Sequence, residues 1–119
     1  MTASRYILLY SAGELSAVDV AGGGVMDVGA VPAQPGLVQY SPDGTKALLM
    51  FSDGDTVSGL SVVDFAAQTL ADYLVPVDFA VSEYEHASPE ISWFDNDTFA
   101  LDNGANGVDD ALRVWAYEL

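Results

Sequence analysis

The residues of this chain that could do chemistry are few and mostly acidic. The single histidine, His86, stands beside Glu85 and near Glu83 and Glu90, a grouping that could hold a metal ion or relay a proton. A lone imidazole on an acidic connector is ordinarily just solvated, and that is the expectation here. The richest oxygen cluster is Asp102-Asn103-Gly104-Ala105-Asn106-Gly107-Val108-Asp109-Asp110. Carboxylate and amide oxygens at such short spacing can surround Ca²⁺, which makes Asp102, Asn106 and Asp110 the candidate calcium ligands. The spacing is not that of an EF-hand, and glycine, asparagine and aspartate are also ordinary residues of a strand-connecting loop. The smaller cluster Asp53-Gly54-Asp55 is of the same kind. Calcium is thus the one cofactor the sequence admits, and none is required.

Other chemistries lack their residues. With no cysteine there is no disulfide, thiolate metal site or thiol nucleophile. No serine sits in a Gly-x-Ser-x-Gly elbow, and a Ser-His-Asp triad would have to be built at long range on one imidazole, so the chain is not expected to be an enzyme. Eighteen acidic residues against three basic ones, Arg5, Lys46 and Arg113, give a net charge of -15. Such a charge repels phosphates, which argues against nucleic acid and anionic membrane surfaces as partners. The acids are spread over many turns, as in a solubilising coat. Trp93, Trp115 and Tyr117 could form a recognition face, although packing between sheets is the simpler role.

The elements that must carry these residues are strands. At 119 residues the chain suits one domain with one core. Apolar alternation broken by turn residues about every eight positions reads as a series of short strands: 6–10, 14–20, 25–31, 37–40, 46–51, 59–65, 69–77, 91–94, 98–101 and 111–119. Residues 65–74 also contain good helix formers, and strand is the reading kept. The apolar run after Arg5 is too short for a signal-peptide core or a membrane span, so the expected location is cytoplasmic.

The strands repeat. Leu15-Ser16-Ala17-Val18-Asp19-Val20 returns as Leu60-Ser61-Val62-Val63-Asp64-Phe65 and, more distantly, as Leu112-Arg113-Val114-Trp115-Ala116-Tyr117. Leu8-Leu9-Tyr10-Ser11 is echoed by Leu49-Met50-Phe51-Ser52. An offset of 53 pairs Tyr40 with Trp93, Ala47 with Ala100 and Leu48 with Leu101. Units recur at roughly 40 to 50 residues, the period of propeller blades. They span about 5–36, 37–77 and 89–119.

The stretch Tyr40-Ser41-Pro42-Asp43-Gly44-Thr45-Lys46-Ala47-Leu48-Leu49, followed by the strand at 60–65, resembles the Ser-Pro-Asp-Gly repeat of WD-repeat-like β-propellers, including the Tol-system and prolyl oligopeptidase-type propellers. In the third unit Phe94-Asp95-Asn96-Asp97 stands where that turn would be. The resemblance implies a fold and carries no catalytic residue. Four blades of roughly 40 residues need about 160, so the chain would hold only part of a ring.

The expected fold is all-β, with two to three four-stranded antiparallel meanders resembling β-propeller blades in an incomplete ring. The expected function is a non-catalytic protein-interaction or scaffold module. It would self-associate as a homo-oligomer or form part of a longer propeller. The alternatives are a metal-ion or small-ligand binding module using the acidic loops, and an accessory propeller piece of a hydrolase.

Overall fold

The computed structural model describes residues 5–53, 56–75, 90–103 and 114–119. Among these the chain has no helix and ten strands: β1 (Tyr6–Ser11), β2 (Glu14–Asp19), β3 (Val25–Ala30), β4 (Leu37–Tyr40), β5 (Lys46–Asp53), β6 (Thr56–Asp64), β7 (Thr69–Tyr73), β8 (Glu90–Trp93), β9 (Thr98–Asp102) and β10 (Val114–Glu118). Each pairs antiparallel with its sequence neighbour. A first sheet β1-β2-β3, a central sheet β4-β5-β6-β7 and a third sheet β8-β9-β10 result, none closed into a barrel. The fold is therefore all-β, a set of blade-like meanders in an incomplete ring. The ambiguous segment at 65–74 divides into a turn, with Gln68 at φ 56°, and strand β7. One expectation changes: the loop read at 52–58 is mostly hairpin, with Asp53 opposite Thr56.

The central sheet is apolar on both faces, which is why β5 reads as the unbroken run Ala47-Leu48-Leu49-Met50-Phe51. Alternation sends Ala47, Leu49 and Phe51 one way, into a core with Leu15, Ala17, Val28, Val63 and Phe65. Leu48 and Met50 go the other way, to Leu60, Val62, Ile91, Phe99 and Leu101. The three sheets are thus stacked through two cores rather than one, and each large buried aliphatic or aromatic side chain contributes roughly 1.5–3 kcal/mol.

Turns follow residue chemistry. In the Ser-Pro-Asp-Gly turn the Gly44 N–H donates to the Ser41 carbonyl at 2.9 Å, and Gly44 takes φ 75°. Asp43 accepts from the Thr45 N–H at 3.0 Å and from the Thr45 hydroxyl at 2.7 Å. The buried Ser41 hydroxyl donates to Asp43 at 2.9 Å and accepts from the Lys46 N–H at 3.0 Å. At Gly29, φ 152° accompanies a register slip between β2 and β3. A Cβ there would make ordinary contact with Leu70, 3.4 Å from Cδ2, so the backbone angle rather than space is what favours glycine.

Register shows how the repeat is built in space. Tyr6, Leu8 and Tyr10 pair with Asp19, Ala17 and Leu15, as Lys46, Leu48 and Met50 pair with Asp64, Val62 and Leu60. The flanking bonds match: Val20 N–H to Arg5 carbonyl, and Phe65 N–H to Thr45 carbonyl. Strands β1, β2 and β3 therefore correspond to β5, β6 and β7. In the third sheet Trp93 faces Phe99 as Tyr40 faces Ala47, and Leu119 N–H bonds to Asp97 as Phe65 N–H bonds to Thr45. Strands β8, β9 and β10 thus correspond to β4, β5 and β6.

These registers correct the alignment read from sequence. The Tyr40 and Trp93 match holds. The turn after Trp93 is one residue shorter, so Ala47 corresponds to Phe99 and Leu48 to Ala100. Val62 corresponds to Ala116, not Val114. Leu8 corresponds to Leu48, not Leu49, and that shift of one moves a side chain to the opposite face.

Candidate functional site

The chemistry-bearing residues are not brought together among the described residues. Asp102 ends β9, in a cross-strand row with Glu90 and Val114. The other calcium candidates, Asn106 and Asp110, lie outside the described residues, as do His86, Glu83, Glu85, Gly54 and Asp55. No three His, Cys, Asp or Glu side chains among the described residues are grouped so as to hold a metal ion.

The aromatic residues are structural. Tyr117 stacks on Phe99 with ring centroids 4.7 Å apart, and Trp93 meets Phe99 edge-on at 5.8 Å. The Trp93 indole N–H donates to the Gln39 carbonyl at 3.0 Å, and the Tyr117 hydroxyl donates to the Leu74 carbonyl at 2.9 Å. Both polar tips are spent on holding the third sheet to the central one. Burial pushes the Tyr117 phenol above its usual pKa. Trp115 faces Leu101 and Tyr117 faces Phe99 on the inner side of β10, while Val114 and Ala116 lie outward and exposed. Only one face of that strand is packed.

Charged groups also serve as struts. The Asn96 amide oxygen accepts from the Asp43 N–H at 3.0 Å, and Lys46 Nζ donates to the Asn96 carbonyl at 2.9 Å, tying the β4–β5 turn to the β8–β9 turn. At the base of the first sheet Asp19 receives the Arg5 guanidinium and the N–H groups of Ala21 and Gly22. The Arg5 hydrogen bonds are the main reason its carboxyl is pulled down to about 2.

What distinguishes the surface is the contrast between the two ends of the stack. Ile7, Leu9, Val18, Val20 and Val25 lie on the outward face of the first sheet. They correspond by register to Ala47, Leu49, Val63, Phe65 and Leu70, the side of the central sheet that packs against the first. Ile7, Leu9, Val20 and Val25 are 51%, 48%, 55% and 69% exposed, whereas Ala47, Leu49, Val63 and Phe65 are at most 1% exposed. The outward face of the third sheet has the opposite character. Ala100, Ala116, Asp102 and Glu90 stand where the central sheet has Leu48, Val62, Met50 and Leu37.

Between the first and central sheets an open cleft of about 280 Å³ runs along β1, lined by Leu8, Tyr10, Leu15, Gln34, Pro35 and Val38 among others. Neither the apolar end nor this cleft emerges from residue types alone. Both depend on which strand faces what, and the one available signal was the apolar side of β1 repeated at Val18 and Val25. No helix among the described residues is long and apolar enough to cross a membrane. Neither a family model nor a curated protein matches this chain.

Proposed function

We propose that the chain is a non-catalytic interaction module of WD-repeat-like, blade-shaped meanders that associates with a second copy of itself through the outward face of its first sheet. The observation that supports this reading is the row Ile7, Val18, Val25 with Leu9 and Val20 beside it, an apolar face whose counterpart in the central sheet is covered by another sheet. A single exposed aliphatic needs no explanation, but a contiguous face of them marks an interaction surface. Charge selects the geometry. The outward face of the third sheet carries Glu90, Asp102 and Glu118 and would repel its own copy, whereas the first-sheet face carries Glu14 and Asp27 at its ends, away from the row Ile7, Val18 and Val25. A two-fold contact of first sheet on first sheet joins aliphatic side chains at its centre and leaves the carboxylates at its ends.

The contact is small. Three strands of six residues, at about 3.4 Å per residue and 4.8 Å between strands, give a footprint of about 300 Å². That is well below the roughly 800 Å² per partner of a stable complex, so dimerisation is expected to be concentration-dependent and stronger at high salt. Sedimentation velocity across a concentration series should show a reversible monomer–dimer equilibrium that Val25→Lys shifts to monomer. A species of monomer mass at every concentration, in low and high salt alike, would overturn the reading.

A further inference from the structure

The correspondence between sheets leaves two positions empty among the described residues: the third sheet has no counterpart of β7, and the first has none of β4. Strands β1, β2 and β3 match β5, β6 and β7, so the first sheet has no counterpart of β4 among the described residues. The open edge of β1 is where that strand would lie. Because the Val20 N–H bonds to the Arg5 carbonyl, odd-numbered residues of β1 bond to β2, and Leu8 and Tyr10 turn their backbone groups to the open edge. The Tyr40 hydroxyl donates to the Tyr6 carbonyl at 3.0 Å, and the Leu8 N–H is turned to that same hydroxyl. It thereby closes the lower part of the edge, as a neighbouring strand would. Above it, the Leu8 carbonyl and the Tyr10 N–H have no described strand paired to them.

The cleft begins at that point. Its residues Leu8, Tyr10 and Leu15 correspond to Leu48, Met50 and Leu60, the very residues of the core on which the β4 side chain Leu37 packs. Register puts Leu37 opposite Met50, so the missing counterpart of Leu37 would stand opposite Tyr10. The far wall gives the same answer. Val38 and Ile91 correspond, one residue pair inward from Tyr40 and Trp93; Ile91, facing a sheet that has its first strand, is 1% exposed, and Val38, facing one that lacks it, is 40% exposed.

We infer that the open edge of β1 and its adjoining cleft dock an extended segment of a partner polypeptide. The segment adds a fourth strand to the first sheet and places an aliphatic side chain between Leu8, Tyr10, Leu15 and Val38. Main-chain bonds to the Leu8 carbonyl and the Tyr10 N–H supply affinity, and the cleft supplies selectivity for Leu, Ile or Val over a charged residue. The inference rests on the chain being an interaction module, but it uses the edge of β1 and the cleft inside it, which share Leu9 with the dimer face and leave Val25 out.

The probe is a synthetic peptide copying residues 35–42, Pro-Gly-Leu-Val-Gln-Tyr-Ser-Pro, titrated into the ¹⁵N-labelled protein. Saturable shifts centred on Leu8 and Tyr10, slowed exchange of the Tyr10 amide, and a loss of at least about tenfold in affinity when the peptide's leucine is replaced by aspartate are expected. Tyr10→Pro removes the edge donor on the side away from β2, where proline is tolerated, and should abolish binding. Val25→Lys should bind the peptide as the native chain does, which separates this docking from dimerisation. The inference is overturned if millimolar peptide leaves β1 unperturbed, if the aspartate peptide binds equally well, or if binding survives Tyr10→Pro. Protection of the Tyr10 amide by raised protein concentration alone would assign the edge to a second copy and would overturn it too.

Discussion

The ring of Tyr6 lies flat on that of Phe65, with centroids 4.5 Å apart and planes 12° from parallel. Tyr40 stacks on the same Phe65 at 6.0 Å. Phe65 is thus the side chain on which the first strand of one sheet and the first strand of the next converge, and it is 1% exposed. Its register counterpart, Val20, has no sheet in front of it among the described residues and is 55% exposed.

Truncating these two residues should therefore differ sharply. Phe65→Ala removes a ring from a closed core and is expected to cost about 3–5 kcal/mol, a large part of the 5–15 kcal/mol typical of a domain. Val20→Ala should stay within about 0.5 kcal/mol in the monomer. Urea unfolding at low protein concentration measures both. Equal losses would mean that the first sheet does not pack on Phe65 as described.

Acid should expose the Arg5–Asp19 pair. Hydrogen bonds from Arg5 hold the Asp19 carboxyl at about 2 against an ordinary 3.8. A folded-state pKa below the unfolded one means that the stabilisation is complete above the ordinary value and is lost as pH falls through about 2. Asp43, held down chiefly by its bond from the Thr45 hydroxyl, titrates in the same direction. Thermal melts between pH 5 and pH 2 at low salt should fall less steeply for Asp19→Asn than for the native chain. Parallel curves would show that the ion pair contributes nothing. Both partners lie at the surface, so added salt should shrink the difference.

Salt should also raise overall stability. A net charge of -15 makes the compact state repel itself, and screening shortens the reach of that repulsion from about 10 Å at 0.1 M to about 3 Å at 1 M. The melting temperature is expected to climb between low and molar sodium chloride, measured on Val25→Lys so that dimerisation does not contribute. A flat profile would locate the carboxylates too far apart to matter.

Much of the fold was legible in the sequence because its signals are local. Apolar alternation and turn residues located all ten described strands. Pro42, Asp43 and Gly44 marked a turn that forms as their backbone preferences require, whereas the burial of the run from Ala47 to Phe51 on both faces emerges from the packing. What was not legible depends on counting across turns. The turn before β9 is one residue shorter than the turn before β5, enough to exchange the inner and outer faces in any alignment that ignores it, as Leu48 and Leu101 show. The site was less legible still. Clusters such as Asp102 with Asn106 and Asp110 draw attention by composition, whereas the edge of β1 is built of Leu8 and Tyr10, residues that any strand contains. What sets them apart is that no described strand pairs with that edge, and pairing is written in register, not in residue type.

The unlike ends of the stack carry one more implication. Subunits that joined through the aliphatic end would present at each extremity, among the described residues, the face on which Glu90, Asp102 and Glu118 stand beside Ala116 and Val114. Stacking face on face would then stop at a pair, because the carboxylates of the opposite pole would oppose a further layer.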